Sequence, residues 1–464
     1  MLYHLFEYLK DHMDFPGIGL FHYISVRSIA AMVVALLMAL VVGRKIINRL
    51  RRRQICDSNI KTGDQGVNKT GTPTMGGLII IIALLLPVLL LCNLTNLYVQ
   101  LLIISTLWLG LIGFLDDSLK LRRKAGKQDR AIVRLLNKLQ RKDKDGMKGE
   151  LKIIGQIGLG LIVGLSLYIS DQAIIGVKAP QDAVVTVQAA DPTESSVPAQ
   201  TAIYNRESRS TKTTIPFAKN YVFDYSWLSP VKGPAAHTIG WIIYILFIIF
   251  VVTAISNGTN LTDGRDGLAA GTVIIIGLSL GILAYVSGHI GYASYLNIMY
   301  IPNSGEMVVF MAGMLGALIG FLWYNAYPAQ VFMGDVGSLT LGGIVAVFAI
   351  MIRVEWLLII LCGVFLAESV SVIIQRFWFR RTRIKNTKKL IKEGTYVKGQ
   401  QVMGDRVFVR APLHDHFIYN RAEVPGKILI KRPGESTSEP KVVVRFWIIS
   451  ILLAVLTIIT LKIR

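Results

Sequence analysis

Apolar residues in this chain come in blocks instead of alternating faces. Ten stretches of about 15–20 residues, almost free of charge, recur near 28–43, 75–92, 97–115, 153–169, 238–256, 268–286, 307–323, 338–352, 356–374 and 446–461. Crossing a hydrocarbon core of about 30 Å takes roughly 20 apolar residues in helical form, since a helix satisfies its own backbone hydrogen bonds inside lipid. A soluble domain of 464 residues would scatter its apolar side chains over amphipathic surfaces. The pattern predicts an all-α polytopic membrane protein of about ten transmembrane helices, one integral membrane domain over residues 1–464. The first stretch has a polar and aromatic lead-in and no small-residue cleavage pattern after it, so it reads as a retained span and not a signal peptide.

Charge gives the spans a direction. The formal charge is +21, and the Lys and Arg residues crowd into the loops after the first stretch ("GRKIINRLRRRQ"), the third ("KLRRKAGKQDRAIVRLLNKLQRKDKDGMKGELK") and the ninth ("QRFWFRRTRIKNTKKLIKEG"). Loops after even-numbered stretches, such as "NLTN", are poor in them. Basic loops mark the cytoplasmic side, so both termini are expected to be extracytoplasmic. Residues 171–236 then form an extracytoplasmic insertion, whose runs "DAVVTVQ" and "NYVFDYSWL" suggest a small β-hairpin. Residues 375–444 form a long cytoplasmic loop, where "GDRVFVRAPLHDHF" alternates like a strand before Pro412 breaks it. The basic runs belong to no recognisable nucleic-acid-binding fold, so no nucleic acid partner is expected. A basic inner rim suits the anionic face of a lipid bilayer and phosphorylated substrates. Cys56, Cys92 and Cys362 have neither disulfide nor zinc spacing.

Four polar clusters all leave odd-numbered stretches, and hence share one side. Asp116, Asp117 and Lys120 end the third stretch in "GFLDDSLK". Neighbouring helical residues project about 100° apart, so the two acids are expected to face different ways and split roles, with Lys120 bridging back to one. "NGTNLTDGRDG" brings Asn257, Asn260, Asp263 and Asp266, with glycines that let a ligand approach the backbone. "YPAQVFMGDVGS" puts Asp335 at the start of the eighth stretch, where one carboxylate can serve as N-cap and metal ligand, and Phe332 offers a face for a base. "PLHDHF" sets His414 and His416 around Asp415, a pair without the Cys/His partners zinc requires and better suited to phosphate or sugar. Charged groups at membrane depth are a functional signal. Scattered carboxylates, glycine-rich turns and a basic rim describe a site for a hard cation, Mg²⁺, and phosphate, with one substrate a lipid.

Five ordered motifs, "NKTGTPTMGG", "GFLDDSLK", "NLTDGRDGLAAG", "FMGDVGSLTLGG" and "PLHDHF…VVVRFWIIS", resemble the phospho-N-acetylmuramoyl-pentapeptide transferase family of the polyprenyl-phosphate sugar-1-phosphate transferase superfamily. The resemblance implies a multi-pass, often homodimeric enzyme of the bacterial inner (cytoplasmic) membrane with a cytoplasmic active site. It implies that undecaprenyl phosphate attacks the β-phosphate of UDP-MurNAc-pentapeptide, releasing UMP and leaving lipid I for peptidoglycan synthesis, with Mg²⁺ as cofactor. Carried onto these positions, it implies catalytic roles for Asp116, Asp117, Asp335 and His414, and metal ligation by Asp335 and Asp117. Substrate-binding roles fall on Lys69, Thr74, Lys120, Asn257, Asn260, Asp263, Asp266, Phe332 and His416. A phosphate monoester has a second pKa near 6, so the nucleophile is mostly deprotonated at neutral pH and Asp116 is expected to position groups more than to abstract a proton. The chain departs from the family pattern twice: Asp415 replaces the middle histidine of "PLHHHF", and Arg265 the leucine of "DGLDG". Two other readings compete. A sister enzyme moving GlcNAc-1-phosphate shares the aspartate motifs, and an ion-coupled secondary transporter requires acids at mid-span, where this chain has none of these clusters.

Overall fold

A computed structural model describes residues 2–4, 8, 12, 18–52, 71–124, 149–178, 204–217, 222–296, 298–397, 402–420, 424, 426–430 and 436–461. The helices are α1 (Ile24–Arg52), α2 (Gly77–Leu91), α3 (Leu97–Lys124), α4 (Gly149–Ile169), α5 (Pro234–Thr262), α6 (Leu268–Ser287), α7 (Ile290–Leu296), α8 (Gly305–Asn325), α9 (Gly334–Met351), α10 (Leu358–Leu361), α11 (Gly363–Lys392), α12 (Leu413–Ile418) and α13 (Glu439–Thr460). Every apolar stretch of the sequence has become helix. Among the described residues eight helices are long and apolar enough to cross a membrane, and a bent pair makes a ninth. The fold is therefore all-α and polytopic. α2, with 15 residues, is the short remaining member of the ten.

The ninth stretch is not straight. Glu355–Leu361 and Gly363–Lys392 meet at 75°, because Cys362 leaves the helical ψ range (φ −93, ψ 22). Gly363 fits against Leu453 of α13 at this corner.

Helices in lipid gain little from hiding apolar surface from one another, so small residues and close backbones hold them together. On α1 the buried positions fall every fourth residue: Arg27, Ala31, Ala35, Ala39, Gly43 and Ile47. Gly316 and Gly320 of α8 bring its backbone onto Met32 and Leu36 of that face. Ile29, Val33, Leu37 and Val41 point the other way, toward the hydrocarbon. α9 is the centre of the bundle, buried along nearly its whole length and packed on α3, α5, α2 and α6. Its glycines make this possible. Gly337 meets Gly77 of α2, Gly342 meets Ser256 of α5, and Gly343 takes Leu109 of α3.

The ends of the bundle differ. At the end where α3 starts, Arg27 grips Glu306 through both guanidinium nitrogens (2.8 and 2.7 Å), and Asn93 N–H donates to the same carboxylate. Two antiparallel hairpins cover this end: β1 (Ile174–Lys178) with β2 (Tyr204–Ser208), and β3 (Lys212–Thr214) with β4 (Val222–Asp224). The strand expected at "NYVFDYSWL" thus pairs with Lys212–Thr214, and the run "DAVVTVQ" lies outside the described residues. Thr214 N–H and the Thr213 hydroxyl both donate to Arg353 O, which ties the second hairpin to the turn after α9. At the other end the alternating run before Pro412 is not a strand. Among the described residues it makes only an isolated bridge, Arg406 with Ile428, while Gln375 Oε1 accepts Val407 and Phe408 N–H (3.0 Å each) and His416 Nδ1 accepts Val409 N–H.

Candidate active site

The start of α9 is the positive end of a helix with unpaired N–H groups, and it lies beside acids. Asp117 Oδ2 accepts Val336 N–H at 3.1 Å. Met333, at the N-cap, gives no side-chain cap, and the Asp335 carboxylate turns to lysines. Gly334 has a φ of 73°, and a Cβ there would sit 2.6 Å from Asp117 Oδ2, so this turn admits Asp117 only with glycine. A strap after residue 72 closes the other side, with Phe332 N–H on Pro73 O, and Gly76 N–H on Phe332 O at 2.8 Å. Thr74 and the Phe332 ring lie along it, both half-buried.

Asp335 thereby joins Asp116 and Asp117 in one buried cluster, with a ligand oxygen from each within 4.8 Å of the others. The adjacent acids of α3 do split their partners, since Asp117 caps α9 while Asp116 faces the lysines, yet both reach the same point. Lys120 Nζ lies 2.7 Å from Asp116, 3.4 Å from Asp117 and 3.0 Å from Asp335. Lys152, at the start of α4, bonds Asp116 at 2.8 Å and also Asp335. Sequence reasoning passed over Lys152. It is the last basic residue before an apolar stretch, and the string alone does not separate it from Lys148.

The other two polar clusters close around this one. Asp263 caps the C-terminus of α5, and burial, with the charges of Asp335 and Asp117 added, pushes its carboxyl well above the usual range. Asp266 turns away, its Oδ2 accepting Ala329 N–H at 2.9 Å. Asn257 Nδ2 donates to Gln156 Oε1 of α4 (2.9 Å), and Asn260, one turn on, is half-buried. His414 rests on Gly264, where a Cβ would come within 2.6 Å of its Nε2. Its Nδ1 faces Glu368 of α11 at 3.2 Å. Glu368 was missed too, although a carboxylate inside an apolar stretch is a signal in itself. His416 is buried between Phe408 and Phe417, its Nδ1 accepting from the backbone. Lys69 lies outside the described residues.

Comparison with known proteins fits this arrangement. The glycosyl transferase family 4 model matches residues 210–353, which run from β3 to the end of α9. A phospho-N-acetylmuramoyl-pentapeptide-transferase of Bacteroides fragilis is 49% identical over 468 aligned residues, covering 100% of both chains. Those of Phocaeicola vulgatus (50%) and Flavobacterium psychrophilum (46%) also align over 100% of both chains. The chain belongs to the phospho-N-acetylmuramoyl-pentapeptide-transferase family.

In this transferase the carboxylate cluster suits a hard divalent ion by its donor set, since every candidate ligand atom is oxygen. Three carboxylates and two ammonium groups leave a formal charge of −1 (3 negative, 2 positive), a remainder that a cation would oppose. The transferase thus gathers three acids and two lysines at one end of its bundle.

Proposed function

We propose that this integral membrane transferase moves phospho-MurNAc-pentapeptide from UDP-MurNAc-pentapeptide to undecaprenyl phosphate, giving UMP and lipid I for peptidoglycan synthesis. One observation carries the reading: Asp116, Asp117, Asp335, Lys120 and Lys152 meet at the ends of three helices. A helix end is where a water-soluble nucleotide can meet the phosphate of a carrier whose tail stays in lipid. An oxygen of the lipid phosphate forms the new bond to the β-phosphorus, the bond to the bridging oxygen breaks, and UMP leaves with that electron pair. Lys120 and Lys152 draw the two phosphorylated substrates together and offset their mutual repulsion. Asn257, Asn260, Asp263 and Phe332 would hold the nucleotide, and His414 would contact the diphosphate or the sugar. Asp117 and Asp335 would hold Mg²⁺, with Asp116 in reach, and the ion supplies charge neutralisation at the diphosphate oxygens when bound. The site faces the cytoplasm of a bacterial inner membrane in this reading, both termini lie outside, and the enzyme works as a homodimer.

The test is UMP release by the purified protein with both substrates. Turnover is expected with UDP-MurNAc-pentapeptide, lost on chelation and restored by Mg²⁺. Turnover with UDP-GlcNAc instead would identify the sister transferase. Substrate crossing a liposome membrane without UMP release would identify a transporter.

A further inference from the structure

Three charged side chains of one short loop go to three different places. Asp263 ends α5, and Asp266 secures the turn at Ala329. Arg265 enters the region of α12 and α13, with Nη2 2.5 Å from Asp415 Oδ1 and Nη1 3.5 Å from Glu439 Oε2. The Arg265 and Asp415 side chains are only 8% and 12% exposed. Arg410 Nε approaches the other Asp415 oxygen at 3.4 Å, and both guanidinium groups lie over the Tyr419 ring. Arg265 and Asp415, 150 residues apart in sequence, are therefore partners. Each keeps a second partner, Glu439 for Arg265 and Arg410 for Asp415, so removing one member frees an oxygen or a nitrogen of the other without stranding its whole charge.

The pair touches His414. The Asp415 oxygen that Arg265 takes lies 3.5 Å from His414 Nε2, the same nitrogen that sits over Gly264. Glu368 holds the opposite side of the ring. We infer that Arg265 and Asp415 are a positioning pair: Arg265 occupies the Asp415 carboxylate, which leaves His414 Nε2 turned to the 263–267 loop and to substrate. Without Arg265, Asp415 and His414 face each other directly, and the ring is drawn off the loop. Arg265 has both terminal nitrogens committed to Asp415 and Glu439, so it acts through His414 and not on substrate.

This inference rests on the transferase reading for its kinetic readout. The experiment compares R265L, D415H, R265L/D415H and R265K, together with R265L in an H414A background, for UMP release. R265L is expected to lower kcat about tenfold or more with KM for the nucleotide sugar within about twofold, and the double variant to return within about threefold of the parent. R265K, which keeps the charge, should retain most activity. In the H414A background R265L should cost nothing further. Additive losses in the double variant would overturn the inference, as would an undiminished R265L effect without His414, or a raised KM at constant kcat. If the parent chain releases no UMP, the transferase reading fails, and the pair is judged by melting temperature alone. There the double variant is expected above either single one, and additive shifts would end the proposal.

Discussion

Asp335 owes its availability to its neighbour Asp117. An aspartate in the first turn of a helix ordinarily spends its carboxylate on nearby N–H groups. Here Asp117 takes Val336 N–H, and Asp335 is left to Lys120 and Lys152. Lys152 touches two of the three carboxylates, so Lys152→Ala should lower kcat for UMP release by about 10²–10³-fold, the usual cost of removing one preorganised electrostatic contact. Lys152→Arg should recover part of it. Asp116 separates two mechanisms. If it positions groups, Asp116→Asn loses activity by a similar factor from pH 6 to pH 9 (a range chosen about the phosphate pKa near 6). A loss largely repaired at the alkaline end would make it a general base.

Elements reach this geometry through glycine. The approach of α2 and α3 to α9 depends on Gly77, Gly113, Gly334 and Gly337, whose missing side chains let backbones meet. Gly334→Ala meets two penalties, a left-handed backbone costing about 1–2 kcal/mol and a methyl group 2.6 Å from Asp117 Oδ2. The variant is expected to melt lower in detergent and to lose more activity than its stability loss explains, because Asp117 must move. The same activity per folded molecule as the parent would show that the cap tolerates displacement. The bend at Cys362 acts at this scale as well. It turns α11 so that Glu368 reaches His414 and Gln375 reaches the backbone of Val407 and Phe408.

Across the whole molecule the two ends do different work. One carries the acids and lysines, and the other is clamped by Arg27, Glu306 and Asn93, joining α1, α8 and the α2–α3 turn. Breaking a buried ion pair by removing one partner costs about 3–5 kcal/mol, whereas replacing both with apolar groups is far milder. Arg27→Met or Glu306→Gln should therefore lower the melting temperature clearly, and Arg27→Met with Glu306→Met should recover most of it. UMP release per folded molecule should stay within about twofold in all of these, since the clamp lies away from the site.

Much of this was legible in the string. Span length and the lack of charge dictate helices, since a long continuous apolar run satisfies its own backbone hydrogen bonds in lipid only as a helix, and all ten stretches became helix. The candidate acids also stood out, because charge at the edge of an apolar run is costly to keep. What only the tertiary structure decided is which groups meet. Lys152 comes from a long basic loop and Glu368 from mid-span, and neither spacing nor composition says that helices far apart in sequence bring them to Asp335 and His414. The match of Arg265 to Asp415, 150 residues away, is of the same kind. Backbone hydrogen bonding is local and can be read along the chain. Pairing of buried charges depends on close approach in space, which exists only once the helices have packed.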